Sequence, residues 1–362
     1  MDLVFVPIIL LGVLIVIAGL LILADRLLGG GGERTVTVNE KKELVVRGDD
    51  TLLNTLSDNK IFIPSACGGK ATCGFCKVRL LEGGGDIKPT EEPFLSKEER
   101  ARNVRLSCQI KVRENMRIEI PEGLLEASEY RAKVTAIEEL TYDTRLVRFQ
   151  LIEPTEMDFK PGQYAQVKVP GLDVIRAYSI ASNPANKNEV EFIVRLVPKG
   201  LATTFVHKAL LVGDEIILTG PYGDFYVREE TEREMICIAG GSGKAPIRSI
   251  LYYLRDKKSK RKITYFFGAK TTRDLYYTDE MRQLEKEFEN FTYVPALSEP
   301  DEDDAWDGET GLITEVVDRL TGDLSNAEGY LCGSPGMINA CIDVLKAHDM
   351  PDENVFFDKF DL

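Results

Sequence analysis

Four cysteines carry the clearest chemical signal in the chain. Cys67, Cys73 and Cys76 are spaced C-x5-C-x2-C in a loop that also holds Gly68, Gly69 and Gly74, and Cys108 stands 31 intervening residues later. Four thiolates can hold two irons, and a glycine-rich loop can aim backbone N–H groups at the sulfurs of a cluster. A structural zinc ordinarily uses two short C-x-x-C knuckles, so the spacing points to a [2Fe–2S] cluster on Cys67, Cys73, Cys76 and Cys108. The first gap is one residue longer than in the plant-type pattern.

Two further constellations suit a nucleotide-bearing cofactor. Arg176-Ala177-Tyr178-Ser179 lies in a β-type run where Arg176 and Tyr178 share a face. An Arg fork suits a pyrophosphate, a Tyr face an aromatic ring, and a Ser hydroxyl a ring nitrogen. Gly200-Leu-Ala-Thr203-Thr204 reads as a turn into a helix, whose free N–H groups and hydroxyls bind phosphate. Gly240-Gly241-Ser-Gly243-Lys244-Ala-Pro246 follows an apolar run and opens a helix with Pro246 in its first turn, which makes a phosphate cradle for a dinucleotide. Cys332, followed by Gly333, ends another apolar run, whereas Cys237 and Cys341 read as core thiols.

The elements that must position these residues follow from length and patterning. At about 150 residues per domain, 362 residues predict two to three domains. Leu3 to Ala24 is uncharged, spans about 33 Å as a helix against a hydrocarbon core of about 30 Å, and lacks the basic flank of a cleaved signal. Residues 1–28 are therefore read as a transmembrane anchor and 29–34 as a glycine-rich tether. Arg26, Arg34, Lys41 and Lys42 follow the anchor, which keeps the body on the cytoplasmic side of the inner membrane. Residues 35–127 open with a hairpin and Thr51 as the cap of a short helix, then carry the cysteines. Residues 128–230 alternate like an antiparallel β-barrel, which Gly220-Pro-Tyr-Gly223 closes with a tight turn. Residues 231–362 have the strand–helix rhythm of an α/β parallel sheet, with ligands at the strands' carboxyl ends.

Composition removes other classes. Lys+Arg 45 against Asp+Glu 59 leaves a net charge of −14, which repels nucleic acid. Two histidines, His207 and His348, leave little room for a Rieske centre, a His-rich zinc site or a Ser-His-Asp triad, and seven cysteines, an odd count, argue against a secreted disulfide framework.

Taken in order, these motifs resemble the ferredoxin-NADP reductase superfamily in the arrangement ferredoxin, flavin, nicotinamide domain, from about residue 34 to the end. With the anchor, the chain is similar to the NADH-oxidising subunits of sodium-translocating quinone reductases. Gly268-Ala-Lys-Thr-Thr-Arg-Asp-Leu-Tyr-Tyr, Ala296-Leu-Ser298-Glu-Pro, Trp306-Asp-Gly-Glu-Thr-Gly311 and Cys332-Gly-Ser-Pro-Gly-Met337 extend the likeness. Lys244 departs from it, standing where a small or apolar residue is expected, as does the ending Phe360-Asp-Leu. The resemblance implies a β-grasp-like ferredoxin domain over 35–127, an FAD-binding barrel over 128–230 and an NAD-binding domain over 231–362. It further implies FAD on Arg176 to Ser179 and on Gly200, Thr203 and Thr204, and NADH along Gly240, Gly241, Gly243 and Pro246. Ser179 would lie near the flavin N5, Cys332 and Gly333 would line the nicotinamide pocket, and Phe360 would cover the flavin until nicotinamide displaces it. The expected partners are other membrane subunits of a quinone reductase complex. The alternative is a tethered reductase serving a separate oxygenase, methyltransferase or other redox enzyme.

Overall fold

The structure, a computed structural model, describes residues 12–19, 32–172, 174–301 and 305–360, and divides into two compact units that meet in sequence at Leu125 and Glu126. Most of the expected span Leu3 to Ala24, and half of the tether, lies outside the described residues. Residues 12–19 are helical, with Val13 to Ile17 exposed. Among the described residues, no helix is long and apolar enough to cross a membrane.

The first unit is a five-stranded mixed sheet. Its strands are β1 (Arg34–Val38), β2 (Lys42–Val46), β3 (Lys77–Glu82), β4 (Val104–Leu106) and β5 (Met116–Glu119), in the order β2-β1-β5-β3-β4. The alternation T-V-T-V buries Val36 and Val38 on one face, and helix α1 (Leu52–Asp58) covers that core with Leu52, Leu53 and Leu56. Thr51 caps α1 by accepting a hydrogen bond from the Asn54 N–H at 3.2 Å, as its residue type and place suggest. A second short helix, α2 (Lys97–Ala101), starts with a Ser96–Glu99 capping box. Between β3 and β4 runs a wholly buried ion pair. Arg105 donates two hydrogen bonds to the Glu91 carboxylate, at 2.9 and 2.7 Å, and Glu91 also accepts the Leu106 N–H at 2.9 Å. The strand that leads to Cys108 is thus fixed by a charged network from which water is excluded.

The second unit begins with six antiparallel strands: β6 (Ser128–Glu139), β7 (Thr144–Glu153), β8 (Tyr164–Lys168), β9 (Ile175–Ser179), β10 (Glu189–Arg195) and β11 (Glu215–Tyr222), in the order β10-β7-β6-β11-β8-β9. A bridge between Ile180 and Phe192 joins the two edges, which closes the sheet into a barrel. Helix α3 (Leu201–Lys208) follows β10. One expectation is corrected here. Residues 220–222 do not form a tight turn but continue β11 through a register shift after Thr219, which lets the strand bend while it still pairs Tyr222 with Tyr164.

The unit ends in a parallel sheet of β12 (Glu234–Gly240), β13 (Ile263–Ala269), β14 (Phe291–Leu297), β15 (Glu309–Thr310), β16 (Ala327–Gly333) and β17 (Val355–Lys359), in the order β15-β14-β13-β12-β16-β17. Its helices are α4 (Lys244–Asp256), α5 (Thr278–Glu287), α6 (Ile313–Leu320) and α7 (Pro335–Ala347). Alternate residues of β12 feed two cores. Met235, Cys237 and Ala239 pack with Ile247 and Ile250 of α4, whereas Ile236 and Ile238 pack with Val316 of α6 and Ile338 and Cys341 of α7. Burying each such aliphatic side chain contributes about 1.5–3 kcal/mol. The α4-side core also takes in Leu146, Ala181, Ile193 and Phe225 of the barrel segment, so barrel and sheet share one apolar interior. Strand order reverses between β12 and β16, and a crevice at the carboxyl ends of two such strands is where open α/β sheets bind ligands.

Candidate functional site

Local backbone geometry shapes the cysteine loop. Gly68, Gly69, Ala71 and Gly74 have φ of 65°, 83°, 54° and 71°, a left-handed series that curls the chain and turns its N–H groups inward. Ser65 fastens the loop by accepting the Gly69 N–H at 2.9 Å, and the Ser107 N–H reaches the Cys76 carbonyl at 2.8 Å, which brings the remote fourth cysteine beside the third. The thiols fall into two pairs. The sulfurs of Cys67 and Cys73 are 3.4 Å apart, and Cys76 and Cys108 hydrogen-bond each other.

Within each pair one sulfur is favoured as thiolate. Burial pushes the Cys67 thiol up, but the Thr72 N–H and Cys73 outweigh it and bring it to about 7. The hydrogen bond from Cys76, acting against burial, brings Cys108 to about 6. Two pairs suit two irons with two thiolates each, rather than one tetrahedral ion drawing on four converging groups. Among the described residues, no three His, Cys, Asp or Glu side chains converge on a single metal position.

On β9 the side chains alternate. Arg176 is exposed, with one guanidinium nitrogen donating to the Ile175 carbonyl at 2.8 Å, and Ala177 is half-buried beside it. Tyr178 turns inward, its ring centroid 6.0 Å from that of Phe192, and shares an apolar pocket with Val147, Phe149, Val167 and Phe205. Its hydroxyl is buried with no hydrogen-bond partner among the described residues, and burial pushes the phenol up to about 12. An orphaned buried hydroxyl costs about 1–3 kcal/mol. A flavin with polar groups within reach would relieve that cost, so the strand fits one. Gly200 caps α3. The Thr203 hydroxyl bonds back to the loop, accepting the Val197 N–H at 3.1 Å, while Thr204 lies on the first turn of the same helix.

Ser179 points to the opposite face of β9 from Tyr178 and meets the parallel sheet. Its hydroxyl lies 3.4 Å from the Asp358 carboxylate on β17. Asp358 is paired in register with Cys332 on β16, and its N–H donates to the buried Cys332 sulfur. Burial pushes the Asp358 carboxyl up to about 6 against the hydrogen bond from Ser179, and burial drives the Cys332 thiol well above its ordinary range. The Phe360 N–H reaches the Gly333 carbonyl at 2.9 Å, which holds the chain's end against the same strand tip. From the other side of the switch point comes the glycine loop. Gly241 has φ of 55°, and a methyl on Gly243 would overlap the Cys332 carbonyl oxygen, so only glycine allows loop and strand to approach this closely. Pro246 is buried in the first turn of α4.

The structure thus gathers Ser179, Gly243, Cys332, Gly333 and Phe360 around the carboxyl end of β16. It adds Asp358 and Arg195, which the sequence reading missed. Arg195, at the end of β10, is held by Asp143 at 2.7 Å and has one guanidinium nitrogen 3.6 Å from where a Gly241 side chain would begin. Asp358 stands two residues before Phe360 in a five-residue strand that the sequence reading did not assign, and its contact with Ser179 shows that it faces inward.

Comparison with known proteins agrees with this geometry. The oxidoreductase NAD-binding domain matches residues 237–343, the oxidoreductase FAD-binding domain residues 131–226, and the 2Fe-2S iron-sulfur cluster binding domain residues 36–113. Among solved structures, the Amycolatopsis cytochrome P450 reductase GcoB is 28% identical with a TM-score of 0.74, over 90% of this chain and 98% of that one. The ferredoxin reductase of carbazole 1,9a-dioxygenase is 28% identical with a TM-score of 0.69, over 91% and 99%. The F subunit of the Na(+)-translocating NADH-quinone reductase of Serratia proteamaculans is 33% identical over 96% of this chain and 97% of the relative. That of Neisseria meningitidis serogroup B is 34% identical over 96% of both, and by that full-length match the chain belongs to the family of F subunits of Na(+)-translocating NADH-quinone reductases.

Proposed function

We propose that the chain is the electron-input subunit of a sodium-translocating NADH:quinone oxidoreductase, an NADH dehydrogenase that takes hydride from NADH and hands on single electrons. The observation that carries the reading is the meeting of Ser179, Asp358 and Cys332 at the switch point beside the glycine loop. When bound, FAD accepts the hydride pair and the [2Fe–2S] cluster conducts electrons one at a time. Arg176 would neutralise the FAD pyrophosphate, with Gly200, Thr203 and Thr204 as further phosphate contacts, and the Tyr178 ring would stack on the isoalloxazine. Gly240, Gly241, Gly243 and Pro246 form the strand-to-helix turn that receives the NADH phosphates. Cys332 and Gly333 line the nicotinamide side, Ser179 holds a hydroxyl at the point of transfer, and Phe360 is placed to exclude water until nicotinamide enters. Cys67 with Cys73, and Cys76 with Cys108, would each hold one iron.

Membrane attachment through residues 1–28, with the body in the cytoplasm, belongs to the same proposal. It is supported by the uncharged run and by the exposed apolar side chains of Val13 to Ile17. The further partners are the membrane subunits of such a complex. Full-length identity favours this assignment over a tethered reductase for an oxygenase. Anaerobic NADH added to the reconstituted full-length protein should bleach the flavin absorbance and give a reduced-cluster EPR signal. Purification from native membranes should recover integral membrane proteins with sodium-stimulated quinone reduction. Absence of both spectral changes, or recovery with a soluble oxygenase alone, would overturn the reading.

A further inference from the structure

We propose that Lys244 is a positioning residue for NADH: with Tyr276 it forms a relay that fixes the orientation of the Gly241–Ser242 peptide in the glycine loop. The inference rests on the reading of that loop as the NADH phosphate cradle.

Lys244 is fully buried, and its Nζ is engaged by Tyr276 and Tyr293. It donates to the Tyr276 carbonyl at 2.7 Å and to the Tyr293 hydroxyl at 3.3 Å, and sits over the rings of Phe267, Tyr276 and Tyr293 at 3.8, 4.9 and 5.2 Å. An ammonium in a dry aromatic cage is stabilised by the ring faces, but an apolar side chain of the same length would fill the cage without desolvating a charge. What lysine adds is a charge-assisted grip on the Tyr276 backbone. The consequence appears at the other end of that residue, where the Tyr276 hydroxyl donates to the Gly241 carbonyl at 2.6 Å. Because the peptide is planar and trans, a Gly241 C=O held toward Tyr276 turns the Ser242 N–H to the opposite face of the loop. The relay closes on itself, since Lys244 follows the loop directly. Burial brings the ammonium down to about 7, with the Glu280 charge working to keep it protonated and that of Arg248 working against.

The fold context agrees. Tyr276 is 6% exposed and closes the short segment after β13, and its neighbour Tyr277 adopts φ of 55° at the start of α5. The segment between β13 and α5 meets the glycine loop through Tyr276, and the loop's Gly241 carbonyl is held by that segment. A glycine loop has no side chains of its own to hold it, so its N–H directions must be set from outside.

The test uses full-length protein loaded with FAD and cluster, NADH for steady-state kinetics and NAD+ for calorimetry. Lys244→Met keeps the cage filled and removes the donor, and Tyr276→Phe keeps the ring and removes the hydroxyl. Each should raise KM for NADH and weaken NAD+ binding about tenfold, with kcat within about twofold and the flavin spectrum unchanged. The double variant should fall well short of the product of the two effects. Unchanged KM in Lys244→Met, equal loss of kcat and flavin, or multiplicative effects in the double variant would each overturn the relay. If Lys244→Met fails to fold, wild-type KM in Tyr276→Phe overturns it equally. Absence of NAD+ binding by the wild type would instead sink the cradle reading.

Discussion

Ten residues of one loop hold three of the four cysteines proposed as cluster ligands, whereas Ser179, Gly243, Cys332 and Asp358 reach the switch point from four segments, the outermost 179 residues apart. The first site is held by its own backbone, through left-handed glycines and the bond from Ser107 to Cys76. The second is held by packing between barrel and sheet, with Arg248 bridging them by donating to the Ala181 carbonyl at 3.0 Å, to Glu191 at 2.6 Å and to Glu280 at 2.8 Å. A local site concentrates its chemistry in a few side chains and should fail all at once when one is lost. A distributed site spreads positioning over many contacts and should fail by degrees.

The sharpest way to break this contrast is Cys76→Ser. Losing one of four ligands should abolish the visible and EPR signatures of the cluster and cut reduction of a one-electron acceptor by about two orders of magnitude or more, while NADH still bleaches the flavin. Retention of the cluster would mean the loop is not the local site described. Gly243→Ala is the counterpart at the switch point. Its methyl meets backbone rather than a flexible side chain, so loop and strand must part, and KM for NADH should rise by about tenfold to a hundredfold with the cluster spectrum intact. Next in size is Glu91→Gln, which leaves Arg105 buried beside a neutral amide. Breaking a buried pair costs about 3–5 kcal/mol, so the urea midpoint for loss of cluster absorbance should fall while the flavin transition holds. Coincident shifts of both transitions would show that the two units unfold as one.

The same contrast explains what could be read in the amino-acid sequence. Cys67 to Cys76 was legible because ligand chemistry demands residue types at fixed short spacing, and the glycines between them mark the curled backbone. The strand-to-helix turn at Gly240 and the strand end at Cys332 were legible from apolar runs ending in glycine. Asp358 and the Lys244 cage were not. Asp358 becomes part of the site only because β17 pairs with β16 in one register, and Lys244 finds Phe267, Tyr276 and Tyr293 only because β13 and β14 lie beside β12. Long-range strand order is what a local pattern omits. The expected tight turn at Gly220 failed for a related reason, since Gly and Pro mark an irregular strand as readily as a turn, and pairing with β8 decides which.

The smallest effect sharpens the comparison by asking whether the residue that the sequence hid takes part in the chemistry. With burial holding its carboxyl near 6 rather than the usual 3.8, Asp358 is protonated in the folded chain over a range where the unfolded chain has lost that proton. Between about pH 4 and 6 the folded state therefore binds more protons, so this group's contribution is fully present at low pH and is lost as pH rises through 6, by less than about 3 kcal/mol. Across the same interval its contact with Ser179 changes character, because a protonated carboxyl can donate to the Ser179 hydroxyl whereas a carboxylate can only accept from it. The hydroxyl's free lone pairs or its proton are then turned toward the crevice in different states. Single-turnover flavin bleaching by NADH should show one inflection near pH 6, and Asp358→Asn, which is isosteric and does not titrate, should flatten that profile while shifting the rate by only a few-fold. An inflection that survives in Asp358→Asn would assign the ionisation elsewhere and leave Asp358 as a packing residue of β17.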